Sequence, residues 1–355
     1  INKRIKSIMA YTTINKSSSF MNSITYTANA SDNAITGVGH QPDFLITKSR
    51  TSAYGANVYN SISGVGKFFN GITTGVEGSS TAKIASFNTD GFTLKNGDNS
   101  NYNSGGTGVG WSWKAGTSFS NSAGANGASI ASTGSVNTTA GFSIISWTNA
   151  GSGVATVAHG LGAVPKMIII KSRNETAGWL TYHEAIGNTH GLFLNTNDAK
   201  DDNAEFFNDT SPTSTVFTTG VTGLLTGGSN LIAYCFAEKQ GYSKFGSYTG
   251  NGNADGPMIV TGMKPKFVLI KQAVGNNATN WSITDDKRLG YNPDNRILYT
   301  NSSATEDSYD PIEHLSNGFK LISPTAGYND AGDQYIYMAF GQSIVGTNNV
   351  PNNAR

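Results

Sequence analysis

Four markers recur in the same order three times along this chain, and no other feature limits so strongly what it can fold into. The first is an aromatic residue followed by threonine, at Tyr26-Thr27, Trp147-Thr148 and Tyr248-Thr249. The second is a proline, an apolar run and a lysine six residues on: Pro42 to Lys48, Pro165 to Lys171 and Pro265 to Lys271. The third is a phenylalanine segment, Gly91-Phe92, Val216-Phe217 and Gly318-Phe319. The fourth is an aromatic-rich closing stretch: Trp111-Ser112-Trp113, Tyr234-Cys235-Phe236 and Tyr337-Met338-Ala339-Phe340. Copies two and three are offset by 100 to 104 residues and copies one and two by 121 to 125. The extra length falls in residues 117–140, a stretch rich in Ser, Gly, Ala and Thr.

Each marker has a strand reading. A proline costs no ladder hydrogen bond at a strand entrance, and an unbroken apolar run behind it suits a strand covered on both faces. Short apolar stretches punctuated by Gly, Asn and Ser suit a β-sandwich. The expected fold is therefore all-β, with three tandem β-sandwich-like domains of one repeated family. The expected boundaries are an N-terminal arm at 1–17, domains at 18–116, 141–241 and 242–342, a flexible linker at 117–140 and a C-terminal tail at 343–355. A unit of about a hundred residues is large enough to bury a modest core of its own.

Composition agrees. Charged residues are 13% of the chain, where soluble domains average about 25%. Uncharged polar residues and 43 glycines replace them, which favours turns and short strands over long helices. The net charge is +1, from 24 basic and 23 acidic residues. That builds no field for a phosphate backbone, and the basic head Lys3, Arg4 and Lys6 has no aromatic platform beside it. Nucleic acid is set aside as a partner. The single cysteine, Cys235, excludes an intrachain disulfide. No run reaches the ~18–20 apolar residues of a membrane span, and the basic start lacks the apolar stretch of a secretory signal.

Asn137 to Trp147, His159 to Lys171, Ile232 to Glu238 and Gly241 to Asn251 together resemble an uncharacterised domain of structural proteins in marine tailed phages, of tail or fibre type. The resemblance runs from about Met9 to Arg355; copy one departs from it, with Trp111-Ser112-Trp113 in place of Tyr-Cys-Phe. It implies a virion component and carries no known catalytic residue. The expectation is a non-enzymatic protein of the virion surface: a fibre, an adhesin or a capsid decoration. It would attach to the host or stabilise the particle. Expected partners are other virion proteins, further copies of itself (a homo-trimer by analogy) and a host-surface glycan. The alternative is a carbohydrate-binding, lectin-like protein, with a glycan depolymerase behind it, because carboxylates are sparse.

Candidate chemistry is thin. His183-Glu184 with His190 has the wrong spacing for a zinc helix, and Gly187-Asn188 interrupts it. Asp198, Asp201, Asp202 and Glu205 lack the alternation of a calcium loop and read as a solvated loop. Asp285-Asp286 reads as a turn, since neighbours on a strand point to opposite faces. Cys235 aligns with Ser112 and Ala339, a small packing position. Gly105 to Gly110 lacks the ending of a phosphate loop. Of the tryptophans, Trp113, Trp147, Trp179 and Trp281 read as core, and Trp111 as the best exposed candidate for stacking on a sugar. The sequons Asn174-Glu175-Thr176 and Asn301-Ser302-Ser303 mean little in a protein made in bacteria. No catalytic residue, metal ligand or cofactor is assigned.

Overall fold

A computed structural model describes residues 10–149, 153–220, 228–275, 277–288, 296–348 and 351. The chain is 44% strand and 5% helix, in several antiparallel sheets. Three of these sheets are large. The first places its strands in the order Met21–Thr27, Thr107–Trp113, Phe44–Ser49, Asn57–Asn60, Lys67–Asn70. The second contains the order Phe142–Thr148, Asn230–Phe236, Met167–Ser172, Leu180–His183, His190–Phe193. The third runs Ser243–Thr249, Gln334–Ser343, Met263–Val274, Ser282–Asp285, Leu298–Tyr299. In each, the aromatic closing strand lies between the strand that opens the copy and the proline-led strand. Trp113 pairs with Met21 and Phe44, Phe236 with Phe142 and Met167, and Phe340 with Ser243 and Phe267.

Alternation along these closing strands separates two cores. Trp111 and Trp113, Tyr234 and Phe236, and Met338 and Phe340 enter one cluster drawn from all three copies. The intervening Cys235 and Ala339 face clusters confined to their own copies. There each large sheet packs on a small one. Leu45 and Tyr59 meet Ile35, Phe92 and Leu94; Ile145 and Ile168 meet Val157 and Phe217; Val268 and Ile270 meet Ile259, Phe319 and Leu321. The strands Phe44–Ser49 and Met167–Ser172 are buried at every position because both faces are covered. At the centre the rings of Trp113, Phe236 and Phe340 form a near-equilateral triangle, with centroids 6.1, 5.8 and 6.1 Å apart. The edge-on contacts among them suit aromatic quadrupoles.

The segment 117–140, read as a flexible linker, instead carries two paired strands. Thr117–Asn121 pairs with Ser132–Asn137, which pairs with Phe142–Thr148 and widens the second sheet. Val136 and Phe119 pack on the second copy's own apolar cluster. Gly134 permits the pairing, since a Cβ there would lie 1.9 Å from the Ile144 carbonyl oxygen.

The third marker also acquires a cause. Gly91 and Gly318 close tight hairpins at φ +150° and +158°, and a Cβ on either would lie 2.0 Å from the Ile35 or Ile259 carbonyl oxygen. The second copy's small sheet has two strands and no such hairpin, so Val216 stands there. Finally, the described part of the N-terminal arm, from residue 10 on, docks on the third copy. The Ser17 N–H donates to Gln342 Oε1, and Tyr11 Oη donates to the Gly262 carbonyl.

Candidate functional site: buried lysines and a tyrosine-lined cleft

The lysine that ends each proline-led run has no exposure to solvent. Its ammonium is satisfied by backbone carbonyls, one from its own copy and one from a neighbour. Lys48 Nζ donates to Tyr54 at 3.1 Å and to Ser302 of the third copy at 2.7 Å. Lys171 Nζ donates to Ala177 at 2.9 Å and to Thr74 of the first copy at 3.2 Å. Lys271 Nζ donates to Thr279 at 2.7 Å and to Asn197 of the second copy at 2.8 Å. The set closes a ring: one to three, two to one, three to two. Burial pushes all three ammoniums down to about 8. Lowered lysines occur in nucleophilic sites; these three are closed off from solvent, and each donates to two backbone carbonyls.

Neighbouring groups repeat the pattern. Arg50 forks onto Glu306 of copy three with two bonds of 2.8 Å, and Arg173 Nη2 reaches Glu77 of copy one at 2.8 Å. In the third position Ala273 faces Lys200, yet the backbone bond beneath survives. Glu306, Glu77 and Lys200 donate their N–H groups to the carbonyls of Arg50, Arg173 and Ala273 at 2.9, 2.8 and 2.9 Å. Trp179 and Trp281 donate their indole N–H groups to Thr73 and Phe193, again one copy back.

A second ring runs the other way. Asn60 donates to Tyr234 Oη of copy two at 3.3 Å. His183 accepts the Ala185 N–H at Nδ1, so Nε2 carries the proton and donates to the Tyr337 carbonyl of copy three at 3.1 Å. Asp285 accepts the Trp111 indole of copy one at 2.8 Å and pairs with Arg288 at 2.8 Å, both side chains fully buried. Burial pushes the Asp285 carboxyl up; Arg288, with Trp111 and backbone N–H groups, outweighs this and holds it below the ordinary range.

These positions revise several sequence readings. Trp111, the expected exposed stacker, is buried, because its indole bridges to Asp285 and its ring packs in the shared cluster. Trp113, Trp147, Trp179 and Trp281 are buried too. Of Asp285-Asp286, read as a turn, Asp286 does stand in one, whereas Asp285 ends the strand Ser282–Asp285 as a fully buried ion-pair partner. Asp201–Asp202 forms a short exposed strand against His190 and Gly191. Asp198 and Glu205 are exposed as well. Among the described residues, no three His, Cys, Asp or Glu side chains gather around a cation position. Cys235 is a buried free thiol raised by burial. Gly108 and Gly110 lie within a strand. Asn174 and Asn301 accept the Asn230 and Trp281 N–H groups through their side chains. Lys3, Arg4 and Lys6 lie outside the described residues.

An open cleft of about 510 Å³ lies in the third copy, lined among others by Tyr299, Tyr309, Tyr328, Ser282, Asn277 and Asp307. Tyr328 Oη donates to Ser282 Oγ at 2.9 Å, and Tyr309 Oη sits against the hydroxyls of Ser323 and Thr325. The rings of Tyr309 and Tyr328 are 6.2 Å apart and inclined at 44°. Burial holds the Tyr299 and Tyr328 phenols above their ordinary value, so they stay protonated donors. Sequence reasoning missed this cleft. Its tyrosines fall between the repeat markers and share no spacing; only their absence from the other copies could have drawn notice.

The corresponding ground in the other copies differs. By strand register, Leu180 and Phe193 stand where Ser282 and Tyr299 stand, and Phe206 packs edge-on against Phe193 at 5.5 Å. Where copy one meets copy three, an opening of about 370 Å³ is lined by Asn70, Asn99 and the 300–303 segment, with no aromatic ring.

A family model described as a domain of unknown function (DUF7483) matches residues 16–343, spanning all three copies. No curated protein and no solved structure matches the chain.

Proposed function

The chain belongs to the DUF7483 family, and from that premise we propose that it is a non-enzymatic surface component of a tailed-phage particle. In this reading it is built from three copies of one β-sandwich unit fused into one body. It serves as a fibre, adhesin or capsid decoration that attaches the particle to its host or stabilises it. One observation carries the structural part: the buried ammonium groups and the partly buried guanidinium groups beside them are spent on carbonyls and carboxylates of neighbouring copies. Groups placed that way hold a shape. The particle itself rests on the resemblance of the segments around Trp147, Lys171 and Tyr234. Copies per purified virion, counted by quantitative peptide mass spectrometry against the major capsid protein, test it. A ratio near one per capsid subunit or one per few means decoration of the head, and a few to a few tens of copies means the tail. Absence from the particle sinks the proposal.

A second reading, carbohydrate binding without catalysis, is favoured by one specific feature, the tyrosine-lined cleft of the third copy.

A further inference from the structure

We infer that the third-copy cleft is a binding site for one uncharged sugar residue per chain; this rests on the carbohydrate-binding reading and gives it a place. A pyranose presents an apolar C–H face and a rim of hydroxyls. A site for it therefore needs aromatic surface beside neutral groups that both donate and accept. The cleft supplies both. Tyr299 and Tyr309 are half-buried on its wall, Tyr328 lies beneath, and Asn277, Asn280 and Ser282 add amide and hydroxyl groups. Its volume, about 510 Å³, lies within the ~300–1,000 Å³ of small-molecule sites.

The wall is held in place before any ligand arrives. Tyr328 is tied to Ser282, Tyr309 to the hydroxyls of Ser323 and Thr325, and the Tyr309 N–H to Asp307 Oδ1 at 3.0 Å. Side chains fixed in this way lose little freedom when a ligand docks. Asp307 is the charged side chain among the lining residues, and Asp330 holds Asn277 Nδ2 at 2.6 Å just beyond. Two carboxylates at the mouth repel an acidic sugar and leave a neutral one unaffected.

The comparison between copies gives the stoichiometry. Leu180, Phe193 and Phe206 put hydrocarbon where the third copy has Ser282 and Tyr299. In the first copy Asn70 holds the register position of Tyr299, and the opening beside it, shared with copy three, has amides but no ring for a sugar face. The pattern therefore predicts one site per chain and not three.

Saturation-transfer difference NMR on the full chain tests this, with methyl glycosides of glucose, galactose and mannose, N-acetylglucosamine, and glucuronate as the acidic probe. Transfer to at least one neutral sugar is expected, with little to glucuronate. Ser282→Leu, which imports the second copy's residue, is expected to weaken it about tenfold or more. Asn277→Trp, at an exposed position where the exchange gives up one surface hydrogen bond to Asp330, is expected to do the same by blocking the mouth. No transfer to any neutral sugar, transfer to glucuronate alone, or transfer that survives Asn277→Trp would each overturn the inference. These outcomes are independent of the virion count. A chain abundant on particles that shows no transfer loses the sugar site and keeps the structural role, and one that binds sugar but is absent from particles does the reverse.

Discussion

At Asp285 and Arg288 the chain buries two full charges beside the Trp111 indole. Desolvation makes such a pair weak evidence of stability, but removing one partner strands the other. Asp285→Ala is therefore expected to cost about 4 kcal/mol, read as a lowered urea midpoint with an unchanged slope. The titrating residues set a pH profile. His40, His159, His183 and His314 are held near 4 by burial, against 6.5 when free. Between those values the unfolded chain takes up protons that the folded chain refuses, so stability falls as pH drops through the window. Lys48, Lys171 and Lys271 are held near 8 against 10.5. From about 8 upward the folded chain has shed protons that the unfolded chain still holds, and stability rises with pH. Above about 10 the tyrosines reverse it, because burial raises Tyr59, Tyr242 and Tyr248 and the unfolded chain then loses protons first. Unfolding midpoints measured from pH 4 to 11 should climb twice and then turn over. A flat alkaline limb in the wild type would show that the lysines are not held as described. The three lysines were visible in the sequence as repeat markers, yet their burial was not, because a lysine ending an apolar run usually reaches water.

At the level of elements, the proline-led and closing strands could be read directly, since apolar runs bounded by turn residues have few other uses. The edge strands Thr117–Asn121 and Ser132–Asn137 could not. Their Ser, Thr and Gly residues give a weak alternating signal, and what orders them is a ready sheet edge at Phe142–Thr148. Gly134→Ala should therefore release that edge. Hydrogen exchange is expected to quicken across 117–137 and stay unchanged in the Phe44–Ser49 strand; uniform protection would count against this placement. Gly318→Ala puts a Cβ against the Ile259 carbonyl at a left-handed φ. A loss of about 2–3 kcal/mol is expected, while Val216→Gly in the second copy should be nearly neutral beyond its lost side chain.

For the whole molecule, the shared cluster decides how it unfolds. A copy taken alone would expose the face that carries Phe142, Ile144, Met167, Tyr234 and Phe236. Residues 117–241 expressed alone are expected to lack a cooperative transition, whereas the full chain should melt in one step, with calorimetric and van't Hoff enthalpies in agreement. Trp113→Ala opens the centre of the triangle and should cost about 3–5 kcal/mol across all three copies at once. Two separated transitions in the full chain would mean that the copies are stable independently.

The sequence by itself determined the strand-rich class, the threefold order of markers and the apolar identity of the central strands. These follow from short-range rules: alternation, glycine at tight turns, and proline where it costs no ladder bond, just ahead of the strand at Pro42 and Pro165 but at a bulge inside Met263–Val274 at Pro265. Only the tertiary structure decided that Trp113, Phe236 and Phe340 meet in one triangle and that Trp111 is inside. It alone decided that each lysine reaches a carbonyl of another copy. The reason is physical. A strand's pattern says that a face is covered, but what covers it, here the same face of two other copies, is fixed by contacts between residues far apart along the chain, from 74 positions for Lys271 and Asn197 to 254 for Lys48 and Ser302.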